Sequence, residues 1–169
     1  MIFRFNFIFL TLSLLIFAEN NISSSFLNSE LKQNYSFIER SLNQSDLKIN
    51  TSSGNIYFDE EGITVNVISP FEENYRIEGD IIEIHDVFLD QKQIINIKDL
   101  DNFFLNILIN GVDEASEDYK INFLNGASIE VIQNDSLHSI KFLFVNKNLS
   151  LIRYIDSIGV EHGIELKKI

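Results

Sequence analysis

From Ser36 onward the apolar residues of this chain recur in short runs with a period of two, punctuated by turn residues, and that pattern restricts it to a succession of short strands. Ser53-Gly54 and Glu61-Gly62 bracket a strand around Ile56 to Phe58. Ile63, Val65 and Val67 then alternate with Thr64, Asn66 and Ile68 up to Ser69-Pro70. Glu78-Gly79-Asp80 separates Tyr75 to Ile77 from Ile81 to Ile84 as a tight hairpin. Further strands are expected at Lys120 to Phe123, Ser128 to Val131, Ser139 to Val145, Leu149 to Ile155 and Gly163 to Lys167. The breaks between them fall at Asn125-Gly126, Asn134-Asp135, Asn146-Lys147-Asn148 and Ser157-Ile158-Gly159. Strands that follow one another without intervening helices pair antiparallel.

Two segments depart from the period of two. Leu27, Leu31 and Tyr35 repeat at a spacing of four, which predicts a helix from Leu27 to Tyr35 with one apolar stripe. Leu100, Phe103, Phe104, Ile107 and Leu108 fall at i, i+3, i+4, i+7 and i+8, which predicts a short amphipathic helix over Leu100 to Ile109. It starts near Asp99 or Asp101 and is stopped by Asn110-Gly111. About ten strands and two helices make an α+β protein dominated by one antiparallel sheet. A sheet this long curls into a barrel or splits into a sandwich. Two helices with apolar faces are suited to cover the open side of an incompletely closed barrel, leaving a greasy space for Phe103, Phe104, Phe142, Phe144 and many Ile and Leu side chains.

The N terminus reads differently. Met1 to Ala18 carry one early cation, Arg4, then an almost unbroken apolar run from Phe5 to Phe17. The run is shorter than the ~20 residues a helix needs to span a bilayer, and its layout is that of a secretory signal peptide. Cleavage near Ala18 is the expectation; a retained anchor is the alternative, because Ile16 is larger than the residue usual three positions before a cut. With residues 1–18 removed, 12 Lys+Arg stand against 25 Asp+Glu, a net charge of −13, on one domain over 19–169. Such a polyanion repels nucleic acid and anionic lipid surfaces, and the densest basic spot is only Lys167-Lys168. The absence of cysteine leaves neither a lipidation site nor disulfides, so stability rests on burial and hydrogen bonding. Six Asn-x-Ser sequons, beginning with Asn21, Asn34, Asn43 and Asn50, reflect heavy Asn and Ser usage.

Catalytic patterns are weak. His85, His138 and His162 are far apart and none has a metal-ligand spacing with a second His, so neither metal nor cofactor is expected. Adjacent His85 and Asp86 on a strand point to opposite faces. The carboxylate pairs Glu60-Glu61, Glu72-Glu73 and Asp113-Glu114 lie in expected turns, and the scattered glycines form no phosphate loop. The chain is read as not an enzyme.

The order of elements from Gly54 to Ile97 resembles the periplasmic outer-membrane lipoprotein carrier (LolA) family. The family's landmarks appear here as Gly54, Ile63-Thr64-Val65-Asn66-Val67, Pro70, Glu78-Gly79, Ile82-Glu83-Ile84-His85-Asp86 and Gln91. Leu27, Leu31, Ser36 and Phe37 resemble its first helix and strand, and Leu151 to Leu166, turning at Asp156-Ser157-Ile158-Gly159, its closing hairpin. The resemblance implies an unclosed β-barrel with a helical lid over an acyl-chain cavity. Its lining would be Leu27, Leu31, Phe37, Phe58, Ile63, Val65, Val67, Ile82, Ile84, Phe103, Phe104, Ile107, Leu108, Phe142 and Phe144. It also implies a monomer in the periplasm that takes acylated lipoproteins from an inner-membrane lipoprotein-releasing ABC transporter and passes them to an outer-membrane lipoprotein receptor. One departure stands out: the family's Arg-Pro pair, whose Arg ties barrel to lid, is here Asp59-Glu60. A carboxylate cannot donate those bonds, so Asp59, at the lid-latch position, is expected at the sheet rim with few bonds to the lid. A relative of the same fold that binds lipid or protein without transporting lipoproteins is the alternative. It would have a filled interior, whereas a carrier would hold an unfilled apolar cavity on the order of several hundred Å³.

Overall fold

A computed structural model describes residues 22–45, 47–100, 102–134 and 138–169; the expected signal segment, residues 1–18, lies outside them. After a short helix, α1 (Ser24–Glu30), come six strands: β1 (Tyr35–Asn43), β2 (Lys48–Phe58), β3 (Ile63–Ser69), β4 (Glu73–Glu78), β5 (Ile81–Asp86) and β6 (Gln91–Asn96). A single 3-10 turn (Ile97–Asp99) leads to α2 (Phe103–Asn110). The chain then closes with β7 (Tyr119–Leu124), β8 (Ser128–Gln133), β9 (Ser139–Val145), β10 (Asn148–Ile155) and β11 (Val160–Lys168).

All eleven strands form one antiparallel sheet in the order β6-β5-β4-β3-β2-β1-β11-β10-β9-β8-β7. Two meanders, β1 to β6 and β7 to β11, meet at a seam where the first and last strands pair, Tyr35 opposite Lys168 and Asn43 opposite Val160. Edge strands β6 and β7 are not paired with each other, so the barrel stays open, and α2 is the link that passes between them. The α+β class with one dominant antiparallel sheet is what the period of two predicts, with eleven strands in place of about ten, and the unclosed barrel is what the family resemblance implies.

The antiparallel order sorts the turns. The β1–β2, β3–β4, β5–β6, β8–β9 and β10–β11 connections lie at one end of the sheet, called here distal. The β2–β3, β4–β5, β7–β8 and β9–β10 turns lie at the other, proximal, end. Asn125, Asn146 and Lys147 take the left-handed conformation at proximal turns, two of them Asn, the residue type that tolerates it best after Gly. Gly54 is required for a different reason: a β-bulge shifts register between Ser53 and Gly54, and a Cβ on Gly54 would stand 2.0 Å from the Asn66 carbonyl oxygen.

The expected first helix is shorter than its stripe of four suggests. Ser23 caps α1 by accepting from the Phe26 amide at 3.2 Å, and the helix ends at Glu30 with Leu31 as its cap. Tyr35 belongs to β1, where it is 2% exposed; Leu27 and Tyr35 both face the core, but from different elements. The second helix starts later than expected, at Phe103, because Asn102 is its cap and accepts from the Leu105 amide at 2.9 Å. Leu100 lies outside it, while Gly111 ends it as expected, with φ at 73°.

Candidate functional site: a lidded apolar trough

The concave face of the sheet is built by alternation. Tyr35, Phe37 and Glu39 share one face of β1; His162, Ile164 and Leu166 share that of β11; Ile140, Phe142 and Phe144 share that of β9. Toward the proximal end this surface is apolar and buried, with Phe142 at 0%, Ile152 at 3% and Tyr35 at 2% exposure. The two helices cover it. Leu27, Leu31 and Ile107 are buried against Phe37, Phe142 and Phe144; Phe103, Phe104 and Leu108 pack on the same cluster, together with Val65 and Val67. A second cluster joins Ile63, Ile77 and Ile82 to Phe58, Val65, Ile84 and Leu108. All fifteen residues expected to line a cavity therefore face one of two adjoining clusters, which share Leu108, Val65 and Ile56. Alternation alone did not single out Tyr35, Val112, Ile129, Val131, Ile140, Leu149, Ile152 and Ile164, which complete the buried part of the larger cluster.

Under the lid the trough is filled. The apolar space among Leu31, Tyr35, Phe58, Phe104, Leu108 and Leu149 measures about 20 Å³, room for about one water molecule. Among the described residues this space falls far short of the several hundred Å³ expected of a carrier, since Phe104 and Leu108 pack into the trough. The open volume lies beside α2. One groove of about 610 Å³ runs between the C-terminal half of α2 (Leu108, Ile109) and the β2–β3 turn, with Phe58, Ile63 and Ile77 as its apolar wall and Asp59, Glu60 and Glu61 along its lip. Another of about 510 Å³ follows the opposite flank of α2, past Leu100, Phe103, Asn106 and Ile109.

Several contacts hold the lid, of which three stand out. In α1, Glu30 is only 6% exposed. It accepts from the Tyr35 hydroxyl and the Leu149 amide at 3.1 Å each and from Lys168 Nζ at 2.9 Å. Burial opposes its charge, but Lys168, the Leu149 amide and Tyr35 outweigh burial and hold the carboxyl below the usual range. Two residues earlier in α1, Asn28 clamps the backbone that leaves α2: its side-chain amide donates to the Val112 carbonyl at 2.9 Å and accepts from the Val112 amide at 2.8 Å. The third contact is aromatic. Phe104 stacks on Tyr154 at 4.4 Å and 14°, and Tyr154 stacks on His162 at 4.6 Å and 5°.

Asp59 does not hold the lid. Its carboxylate accepts from both Arg76 Nη atoms, at 2.7 and 3.1 Å, and from the Glu61 and Gly62 amides at 2.9 and 2.8 Å. Arg76 and those amides hold its pKa down at about 2. Asp59 thus sits at the rim, as expected, but it fastens the β2–β3 turn to β4. Arg76, across β3 on the outer face of the sheet, supplies the cation that Asp59 pairs with.

The distal part of the concave face is polar, and nothing in local sequence spacing announces it. His162 lies between two carboxylates, Nδ1 2.7 Å from Glu39 and Nε2 3.2 Å from Asp156. Glu39 raises the imidazole pKa and Asp156 adds to this, against an opposing effect of burial. The same contact, opposed by burial, lowers the Glu39 pKa. Each ring nitrogen is used on a different acid, so the donors do not converge on a common point, and among the described residues no metal-binding group of His, Cys, Asp or Glu is found. His85 pairs with Asp90 at 3.1 Å, while Asp86 accepts from the Leu89 amide at 2.8 Å. The adjacent His85 and Asp86 thus serve different partners, as opposite faces require.

An open antiparallel barrel whose apolar trough lies under two short helices defines a class, the LolA-like fold. A LolA superfamily protein of Nitrosomonas europaea matches it with a TM-score of 0.50 at 10% identity, over 85% of this chain and 90% of that one. The lipoprotein LppX of Mycobacterium tuberculosis is similar at a TM-score of 0.43 and 8% identity, over 85% and 92% of the two chains. No family model matches the chain, and no curated protein matches it in sequence.

Proposed function

We propose that this protein binds the acyl chains of lipids or lipoproteins in the trough, with α2 as the moving cover, and that it carries lipoproteins from the inner to the outer membrane. The observation that carries this reading is an apolar trough covered by two short helices, with an open groove on each flank of α2. Exposing a lipid tail to water costs on the order of 10 kcal/mol, at about 0.8 kcal/mol per CH₂. Lifting Phe104, Ile107 and Leu108 out of the trough costs roughly 5–9 kcal/mol, at about 1.5–3 kcal/mol each. An acyl chain that takes their place therefore gains a small net amount. Uptake and release are then both accessible, which a shuttle needs and a storage protein does not.

In this reading the chain acts in the periplasm after export, as a monomer without cofactor, metal or chemistry of its own. Loading is by an inner-membrane ABC transporter and delivery is to an outer-membrane receptor. The filled trough favours a second reading, a relative that uses the closed surface to bind lipid or protein and transports nothing. Mixing the protein with a triacylated lipopeptide and with its unacylated form, followed by size exclusion, separates the two. Co-elution of the acylated form alone supports carriage; co-elution of neither supports the second reading.

A further inference from the structure

The two ends of the sheet differ in a way the trough does not explain. Turns are ordinarily polar, since their backbone groups face water. At the proximal end they are so: Asp59, Glu60, Glu61 and Gly62; Gly79 and Asp80; Asn125 and Gly126; Asn146 and Lys147. At the distal end four of the connections carry large apolar side chains instead. The four most exposed large hydrophobics among the described residues are Phe88 (86%), Ile158 (83%), Leu47 (76%) and Phe71 (72%). They sit on the β5–β6, β10–β11, β1–β2 and β3–β4 connections, one on each. Ile68 and Leu89 add to the same rim, at 61% and 55%. The β3–β4 and β5–β6 turns abut, the Val87 amide donating to the Glu72 carbonyl at 3.1 Å.

We propose that the distal end docks reversibly onto an electroneutral lipid surface, with Leu47, Phe71, Phe88 and Ile158 immersed. Three features select this occupant. The apolar groups are separate convex tips rather than a groove, so a protein pocket that engaged one would leave the others in water, whereas a fluid bilayer interface admits several without shape matching. Among the described residues no helix is long and apolar enough to cross a membrane, and the proposed contact is made by turn tips alone. The chain is a polyanion with a net charge of −12, and Glu72 and Asp90 stand exposed beside the tips; this disfavours anionic lipid and leaves a zwitterionic surface.

The chain contains no Trp, so one introduced indole reports its own position. The full chain carrying Phe88→Trp, and separately Glu60→Trp on a proximal turn, is titrated with phosphatidylcholine vesicles, with and without brominated acyl chains. Both variants share the same N terminus, so a difference between them reads orientation. The expected result is a blue shift and bromine quenching at position 88 and neither at position 60. Phe71→Ser in the Phe88→Trp background should weaken the quenching titration roughly tenfold. An equal proportion of phosphatidylglycerol should weaken it further. No shift at position 88, an equal response at both positions, or binding only to phosphatidylglycerol vesicles overturns the proposal; a response that appears only with an added protein assigns the rim to a protein partner and overturns it as well. Capture of a triacylated lipopeptide by the same variants is scored separately, so failure of the rim and failure of the trough are distinguishable.

Discussion

Glu30 ties α1 to three strands through one buried carboxylate, and its removal is the most damaging single polar change in the lid. Glu30→Ala leaves the Leu149 amide and Lys168 without their acceptor, while the Tyr35 hydroxyl keeps the Glu30 backbone carbonyl at 2.9 Å. Because Lys168 still reaches water, with its side chain 37% exposed, the expected loss is roughly 2–3 kcal/mol, below the range for a fully buried pair; urea unfolding measures it. His162 sets a pH dependence. Its pKa is raised above the ordinary 6.5 by Glu39, against burial and with Asp156 adding. Its contribution is therefore complete below about 6.5 and is lost as pH rises through its folded value. Glu39, lowered mainly by His162, contributes above its ordinary 4.5 and loses that as pH falls. Melting temperature should thus decline from mildly acidic towards alkaline pH, and His162→Gln should flatten that decline. An unchanged slope in the variant would show that the Glu39–His162–Asp156 contact does not control it. None of this was visible along the chain, where His162 and Glu39 are separated by 123 positions. It is the seam between β1 and β11 that brings them side by side.

Elements were legible where their own residues carried the signal. Ser139–Val145 is found at the expected bounds because it alternates and ends in clear turn residues. Strand β6 was not foreseen: Gln91, Lys92, Gln93 and Ile94 are all exposed, so an edge strand with nothing to bury shows no period of two. The stripe Leu27, Leu31, Tyr35 misled because a strand residue after a short turn continues the same inward spacing as the helix. Two predictions belong at this scale. Gly54→Ala would push a methyl against the Asn66 carbonyl and should cost on the order of 1–3 kcal/mol or more, read as a lowered unfolding midpoint. Asn28→Ala frees the backbone at Val112 from both its clamps, so amides of α2 should exchange with deuterium roughly tenfold faster while those of β9 and β10 keep their rates. Uniform acceleration would mean that the clamp supports the whole fold rather than the cover.

At the scale of the molecule, one long antiparallel sheet and two apolar-faced helices follow from counting strands and apolar faces, the open barrel follows from the family resemblance, and the described structure has all three. The state of the trough was not legible, since whether two apolar surfaces enclose a void or fill it depends on side-chain fit and not on pattern. If the trough admits acyl chains, a triacylated lipopeptide at one hundred times its Kd should stabilise the fold by about 2.7 kcal/mol. The unacylated peptide should leave the melting temperature where it was.

The seam has a consequence for how such a chain is made. Its central pairing joins the first strand to the last, Tyr35 to Lys168, so neither meander can complete the sheet until the C-terminal residues have emerged. Contacts that span almost the whole described chain form late and slowly. A polypeptide threaded N-terminus first through any channel therefore arrives on the far side still unfolded, and it commits to its native form only when its final strand is released.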